Sequence, residues 1–319
     1  MSMLPKTQPR ARKVSRRMVW GVIVLVIAVV AAFRGLTVTP RPARAFLQGG
    51  PVLVLAHQGA SAYAPTNTIQ SFQLGMDQGA DIIETDVHMT KDGVIVVSHD
   101  ETIDRMTNGS GYIKSMTLAE LRQYDFGYKF SPDGGKTFPY RGKGVTIPTL
   151  AEVFEKFPGV RVNIELKQSD PAIEEAVWDV IAKHDMERKV LINSFISEPM
   201  QRWAKLSELQ FPDAVTATGA TKANMIEFVA YYLPHLDWLY HPRVDAFQLP
   251  VSEKLGPIEI RFDTKRMVER AHKLGMKIHY WTINDEATMR QLVSIGADGI
   301  ITDRPDLAVK VLKEAGLRQ

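Results

Sequence analysis

Four short stretches of this 319-residue chain combine residue types that move protons and hold charge. His57 ends an apolar run and is followed by Gly59. Glu84 and Asp86, two residues apart in "ETDVHMT", share one face of a strand, because side chains alternate, and lie about 6.5 to 7 Å apart along it. His99 follows "VIVVS" and precedes Asp100, and Glu165 and Lys167, again two apart, close "RVNIELK". Three carboxylates converging on one place repel each other unless a cation sits among them. An all-oxygen donor set suits one hard divalent cation, Ca2+ or Mg2+, and not zinc. Lys167 adds a positive charge for an anionic substrate. A divalent cation beside two imidazoles suits phosphoryl transfer: the cation neutralises a non-bridging oxygen, one histidine takes a proton from the attacking hydroxyl, and the other protonates the leaving oxygen. Imidazoles that titrate near neutrality can fill both roles at physiological pH.

Such a set needs a frame that brings strand ends together. From Pro51 onward, apolar β-rich runs alternate with helical patterns, which argues for parallel βα units. Strands are expected at 52–56, 82–87, 94–98, 161–166, 190–193, 214–218, 246–249, 277–282 and 299–302. That is one too many for an eight-stranded barrel. Only Lys91-Asp92-Gly93 separate the second run from the third, a hairpin signal, whereas a parallel crossover needs roughly a dozen residues. The third run therefore folds back as a β-hairpin excursion. Eight parallel strands remain, a TIM (β/α)8 barrel whose chemistry sits at the carboxyl ends of its strands. Thr117-x-x-Glu120 and Thr149-x-x-Glu152 carry capping-box spacing for two helix starts. Residues 125–147, rich in Gly, Pro and aromatics, read as a loop insertion over one end, with Tyr128, Phe130, Phe138 and Tyr140 as its own small core. His88 shares the face of Glu84 and Asp86 and lines the barrel. Trp281 is either barrel packing or a stacking wall for a substrate.

Charge is unevenly spread. Residues 1–49 hold nine Lys or Arg and no Asp or Glu, so the net charge of +3 hides a body with 30 basic and 36 acidic residues. A net-acidic body argues against a nucleic-acid partner. The absence of cysteine excludes disulfides, thiolate nucleophiles and Cys-ligated metals. The chain divides into a basic cytoplasmic tail (1–17), a transmembrane signal-anchor (18–38), a linker (39–50) and the barrel domain (51–319). The uncharged run 18–33 falls a little short of a hydrocarbon core of about 30 Å at about 1.5 Å per residue, and a snorkelling Arg34 would extend it. The basic excess predicts a single-pass cell-membrane protein, its N-terminus cytoplasmic and its catalytic domain outside. The alternative is a secreted domain released at Ala43-Arg44-Ala45. No obligate protein partner is evident.

The run from His57-x-Gly59 through Pro65-x-Asn67-Thr68, with "ETDVHMTKDGVIVVSHD", "IDRMTNGSG", "NIELK", "WTIN" and "GADGIITDRPD", resembles the glycerophosphodiester phosphodiesterase family over about residues 52–310. The resemblance implies a TIM barrel that hydrolyses glycerophosphodiesters to sn-glycerol 3-phosphate and an alcohol. It implies that Glu84, Asp86 and Glu165 bind the metal and that His57 and His99 are the acid/base pair. It also implies that the substrate's own glycerol hydroxyl attacks, through a cyclic phosphate. Lys167, Gln58, Asn67 and Trp281 are the expected substrate contacts. A lysophospholipase D-type activity on membrane lysophospholipids is the nearest alternative, and a non-catalytic lipid-headgroup-binding barrel the next. A glycosidase using a carboxylate pair would leave both histidines without work. Two departures stand out: Gln58 replaces the family's arginine in His-Arg-Gly, and Thr66 its glutamate in Glu-Asn-Thr. Arginine clamps a phosphate through two charged hydrogen bonds, where glutamine offers one neutral bond. If the two replaced residues pair in the family, their joint loss is compensated, and Gln58→Arg alone should destabilise.

Overall fold

The computed structural model describes residues 16–210, 216–255 and 258–319. Its strands are β1 (Leu53–His57), β2 (Ile82–Met89), β3 (Ile95–Val97), β4 (Arg161–Leu166), β5 (Val190–Asn193), β6 (Ala217–Thr218), β7 (Ala246–Leu249), β8 (Ser252–Leu255), β9 (Ile258–Arg261), β10 (Lys277–Tyr280) and β11 (Gly299–Thr302). Its helices are α1 (Arg16–Leu36), α2 (Ile69–Asp77), α3 (Leu118–Leu121), α4 (Leu150–Lys156), α5 (Glu174–Lys183), α6 (Ser197–Gln210), α7 (Lys222–Tyr232), α8 (Lys265–Lys273), α9 (Glu286–Ser294) and α10 (Pro305–Glu314). Eight strands run parallel in the order β6-β5-β4-β2-β1-β11-β10-β7. A parallel bridge between Gly219 and Ala246 completes the ring.

Strand alternation sorts the core into two layers. Leu53 and Leu55 of β1 point inward, with Ile82, Leu191, Ala217, Ala246 and Ile301 from other strands. Val54 and Ala56 point outward into the helical layer, among Met267, Ala271, Leu292 and Ala308. At the feet of three strands an aspartate pins the neighbouring strand. Asp81 accepts from Val54 N at 2.8 Å, Asp245 from Thr218 N at 2.9 Å and Asp298 from Ile278 N at 2.9 Å. This accounts for the echo of "GADIIETD" in "GADGIITD": each Gly-Ala-Asp turns a helix into a strand and staples it to the previous one.

The hairpin excursion is present. β3 lies antiparallel on β2, with Val87 opposite Val97 and Met89 opposite Ile95. The insertion it begins is larger than the sequence suggests. Val96, Ile103, Ile113, Leu121, Phe126, Val145 and Ile147 form its buried core, while Tyr128, Phe130, Phe138 and Tyr140 are only half-buried around it. Both expected capping boxes form, at Thr117 with Glu120 and at Thr149 with Glu152. The antiparallel pair β8 and β9 was not expected. Of the strand expected at 214–218, residues 214–215 lie outside the described residues.

The amino-terminal segment departs most from expectation. Residues 1–15 of the basic tail lie outside the described residues. Among the described residues no helix is long and apolar enough to cross a membrane, so the transmembrane span expected over 18–38 is not supported. The uncharged run reaches only about 24 Å at helical rise. Arg34 does not extend it, because its Nε donates to Leu239 O at 3.1 Å and its guanidinium covers the Tyr231 ring. The stretch 39–50, read as a linker, is docked across the amino-terminal end of the barrel. Phe46 is fully buried there, Arg161 at the start of β4 donates to Phe46 O and Gln48 O, and Arg41 and Arg44 reach Asp245 at 2.9 and 3.2 Å.

Candidate active site

Backbone register assembles the acidic centre. β1 pairs with β2 so that His57 lies beside Glu84, and β2 pairs with β4 so that Asp86 lies beside Glu165. Residues two apart share a face, so all three carboxylates turn into the barrel mouth. One oxygen from each lies within 4.8 Å of the others, and all three residues are buried. Lys167 sits among them, its Nζ 2.9 Å from Glu165 Oε2 and 3.2 Å from Asp86 Oδ1.

Gln58 and Asn67, expected to contact substrate, hold the carboxylates. The Gln58 backbone N–H donates to Glu84 Oε2 at 3.0 Å and its Nε2 to Asp86 Oδ2 at 2.9 Å. Asn67 Nδ2 donates to the same Asp86 oxygen at 3.0 Å, while its Oδ1 accepts from Thr85 at 2.9 Å. Both residues have left-handed backbones, φ 54° and 57°, which turn the two amides onto one carboxylate. The Thr66 hydroxyl donates to Met106 Sδ at 3.3 Å.

Each histidine is held by its own carboxylate. His57 Nδ1 lies 2.6 Å from Asp303 Oδ1, and Asp303 also accepts from Ser61 at 2.6 Å and Asn284 at 2.6 Å. His99 Nδ1 lies 2.7 Å from Asp100 Oδ1, and Arg105 pairs with the other Asp100 oxygen at 2.5 Å. Buried His88 reaches the His99 carbonyl at 3.3 Å, so it buttresses the second histidine. With Nδ1 engaged, Nε2 is the nitrogen left to exchange a proton. Both rings line one cavity of about 230 Å³ with Glu84, Asp86, Glu165, Lys167, Phe195, Gln248 and Trp281. Trp281 is thus a cavity wall, set edge-on to Phe195 with ring centres 5.6 Å apart.

Electrostatics follow from crowding and burial. Burial and the neighbouring charge of Asp86 push the Glu84 carboxyl up to about 8. Burial also raises Glu165, against the pull of Lys167. Burial opposes the charge on His57, but the hydrogen bond to Asp303 and the charges of Glu84, Asp303 and Asp86 outweigh it and bring the imidazole to about 9. Lys167 is raised as well, since Asp86 and Glu165 overcome its burial. A cation among these carboxylates would favour their ionised form, and an all-oxygen donor set suits a hard divalent one.

Asp303, Asn284, Ser61, Phe195 and Gln248 escaped the sequence reading. Asp303 had a usable signal: it follows β11 as His57 closes β1, so both belong to the mouth. Phe195 and Gln248 carry no pairing or spacing cue.

Ring and mouth together define a barrel whose carboxyl end sets two carboxylate-held histidines beside a buried acidic cluster that could hold a metal ion. The model of the glycerophosphoryl diester phosphodiesterase family matches residues 57–307, and the chain belongs to that family of enzymes. A glycerophosphodiester phosphodiesterase of Caldanaerobacter subterraneus subsp. tengcongensis is 35% identical over 270 residues, covering 83% of this chain and 99% of that one. One from Bacillus subtilis is 33% identical over 282 residues, covering 82% and 87%. Among solved structures, an Oleispira antarctica phosphodiesterase in complex with the product sn-glycerol-3-phosphate is 26% identical with a TM-score of 0.61, over 82% of this chain and 96% of that one.

Proposed function

We propose that the protein hydrolyses glycerophosphodiesters to sn-glycerol 3-phosphate and an alcohol. The observation that carries this reading is the single cavity shared by three buried carboxylates and two carboxylate-held histidines. The names of the relatives support the substrate class, and the product held by the Oleispira enzyme supports the glycerol phosphate half. Glu84, Asp86 and Glu165 would hold the divalent cation, Ca2+ or Mg2+, which when bound supplies positive charge against a phosphate oxygen. One histidine takes the proton of a glycerol hydroxyl as its oxygen bonds to phosphorus. The other gives a proton to the alcohol oxygen as its bond to phosphorus breaks. Water then opens the cyclic phosphate with the two roles exchanged. Lys167 balances the carboxylates and gives the cavity a fixed positive charge.

The protein is held at a membrane by α1. Trp20, Val24, Leu25, Val29, Val30 and Phe33 are all exposed on it, a surface that water does not favour and a bilayer accepts. The basic residues before it suit anionic headgroups.

The test is release of glycerol 3-phosphate from glycerophosphocholine by the full chain with Ca2+, with Mg2+ and with EDTA, beside His57→Ala. Cation-dependent turnover that the variant loses is expected. A folded protein that binds the cation but leaves glycerophosphocholine and related diesters intact would overturn the reading.

A further inference from the structure

The root of α1 is fastened to one particular place on the barrel. A Cβ at Gly35 would run into the Trp238 ring, Thr37 Oγ1 lies 3.4 Å from His241 Nε2, and Val38 already packs against the main core. Arg41 N then donates to Leu274 O at 2.9 Å. No slack separates the helix from the body, so whatever α1 enters must touch the barrel beside Trp238.

The surface there is apolar. Trp238, Leu236 and Leu233, in the turn from α7 to β7, are 46%, 42% and 50% exposed. Trp20 near the start of α1 is 66% exposed, and Trp20 and Gly35 are about 22 Å apart at helical rise. Trp20 and Trp238 thus stand near the two ends of the exposed apolar face, and tryptophan is a side chain that settles at a membrane–water interface. The six lysines and arginines that precede the uncharged run, with no acid among them, add complementarity to anionic lipid.

This surface lies at the opposite end from the mouth. α7 leads down to the turn, and β7 then rises from Ala246 toward the catalytic end. From Asp81 at the foot of β2 to Asp86 at its mouth is about 17 Å. We propose that Trp238, Leu236 and Leu233, with exposed α1, form a bilayer-docking surface at the amino-terminal end of the barrel. It turns the catalytic mouth away from the membrane and directs the enzyme to diesters already free of the bilayer. This rests on the membrane attachment and activity set out above and names the substrate class. A lysophospholipid whose tail stays among lipids cannot lift its phosphate across the height of the barrel.

The chain has no cysteine, so single labels are clean. Full-length Leu236→Cys and Tyr112→Cys, the second exposed on the insertion beside the mouth, would each carry an environment-sensitive fluorophore. Both would be mixed with vesicles of phosphatidylcholine and phosphatidylglycerol containing a lipid-borne quencher. The Leu236→Cys label is expected to shift to the blue and be quenched, and the Tyr112→Cys label to do neither. Quenching at Tyr112→Cys instead, or at neither site on protein that floats with the vesicles, overturns the proposal. So does a blue shift at Leu236→Cys without lipid on self-association, which would make the surface a contact between copies. Vesicle-bound enzyme is expected to cleave soluble glycerophosphocholine and spare lysophosphatidylcholine in the same vesicles; the reverse preference overturns the orientation. Failure to cleave either refutes the proposed activity, while the labels, which need no turnover, still decide the docking.

Discussion

His57 and Asp303 stand 246 residues apart in the chain, yet their side chains meet at 2.6 Å because β1 and β11 are neighbours in the ring. The carboxylate fixes which imidazole nitrogen faces the cavity and raises the ring's affinity for a proton.

Asp303→Asn should therefore lower kcat by roughly 10²- to 10⁴-fold, the range of one acid/base group, with little change in KM. Loss of the charge lowers the proton affinity of His57, so the limb of the kcat profile that reports His57 should move to lower pH. A fall in rate with an unmoved profile would reduce Asp303 to a structural part of the mouth.

Gln58 and Asn67 both donate to one oxygen of Asp86, and partners of this kind set the direction in which a ligand points. Gln58→Leu should weaken Ca2+ or Mg2+ binding about 10- to 100-fold while the barrel melts normally. Calorimetric titration of the cation measures this directly; unchanged affinity would return Gln58 to the role of substrate contact.

The parts of this site that were legible in sequence share a cause. Glu84 with Asp86 and Glu165 with Lys167 are spaced by two, and a period of two states both strand and face. Lys91-Asp92-Gly93 fixed the hairpin and thereby the strand count, since no crossover is that short. Asp303, Phe195 and Gln248 act singly, and only the closed ring brings them to the mouth. Composition does not tell how residues 39–50 sit: Pro and Arg suggest a linker, yet Phe46 is buried in the barrel, Arg41 and Arg44 reach Asp245 at its foot, and Arg161 of β4 holds the Phe46 and Gln48 carbonyls.

A cation among Glu84, Asp86 and Glu165 would relieve repulsion that Lys167 and the donors of Gln58 and Asn67 offset only in part. At one hundred times its dissociation constant it should stabilise the protein by about 2.7 kcal/mol. Melting with and without Ca2+ or Mg2+ reads this, and Glu165→Gln should remove most of the gain. A gain kept by that variant would place the cation elsewhere.

His279 is fully buried between β11 and β7, with both ring nitrogens lacking a hydrogen-bond partner among the described residues. Burial pulls its imidazole down to about 4. The unfolded chain takes up this proton below about pH 6.5 and the folded chain only near 4. The stability due to neutral His279 is thus full above pH 6.5 and falls as pH drops toward 4, by on the order of 3 kcal/mol across the window. Urea unfolding at pH 7 and pH 5 should show a smaller acid loss in His279→Leu than in the wild type. Equal losses would show that other groups carry the acid sensitivity.

Phe46 tests whether the foot of the barrel depends on the chain before β1. Its ring is fully buried among Leu53, Leu55, Ile82, Leu191 and Ile301, and Arg161 ties its carbonyl to β4. A phenylalanine removed from such a site leaves a cavity that inward-facing strand residues cannot fill without breaking the ring. Phe46→Ala should cost about 3 to 5 kcal/mol in urea unfolding, where a residue in a free linker would cost within about 0.5. The mouth lies at the far end of the strands, so kcat on glycerophosphocholine should hold at temperatures where the variant stays folded. Lost stability with intact turnover would make 39–50 part of the fold, and would mean that a soluble form of the enzyme must begin before Arg41.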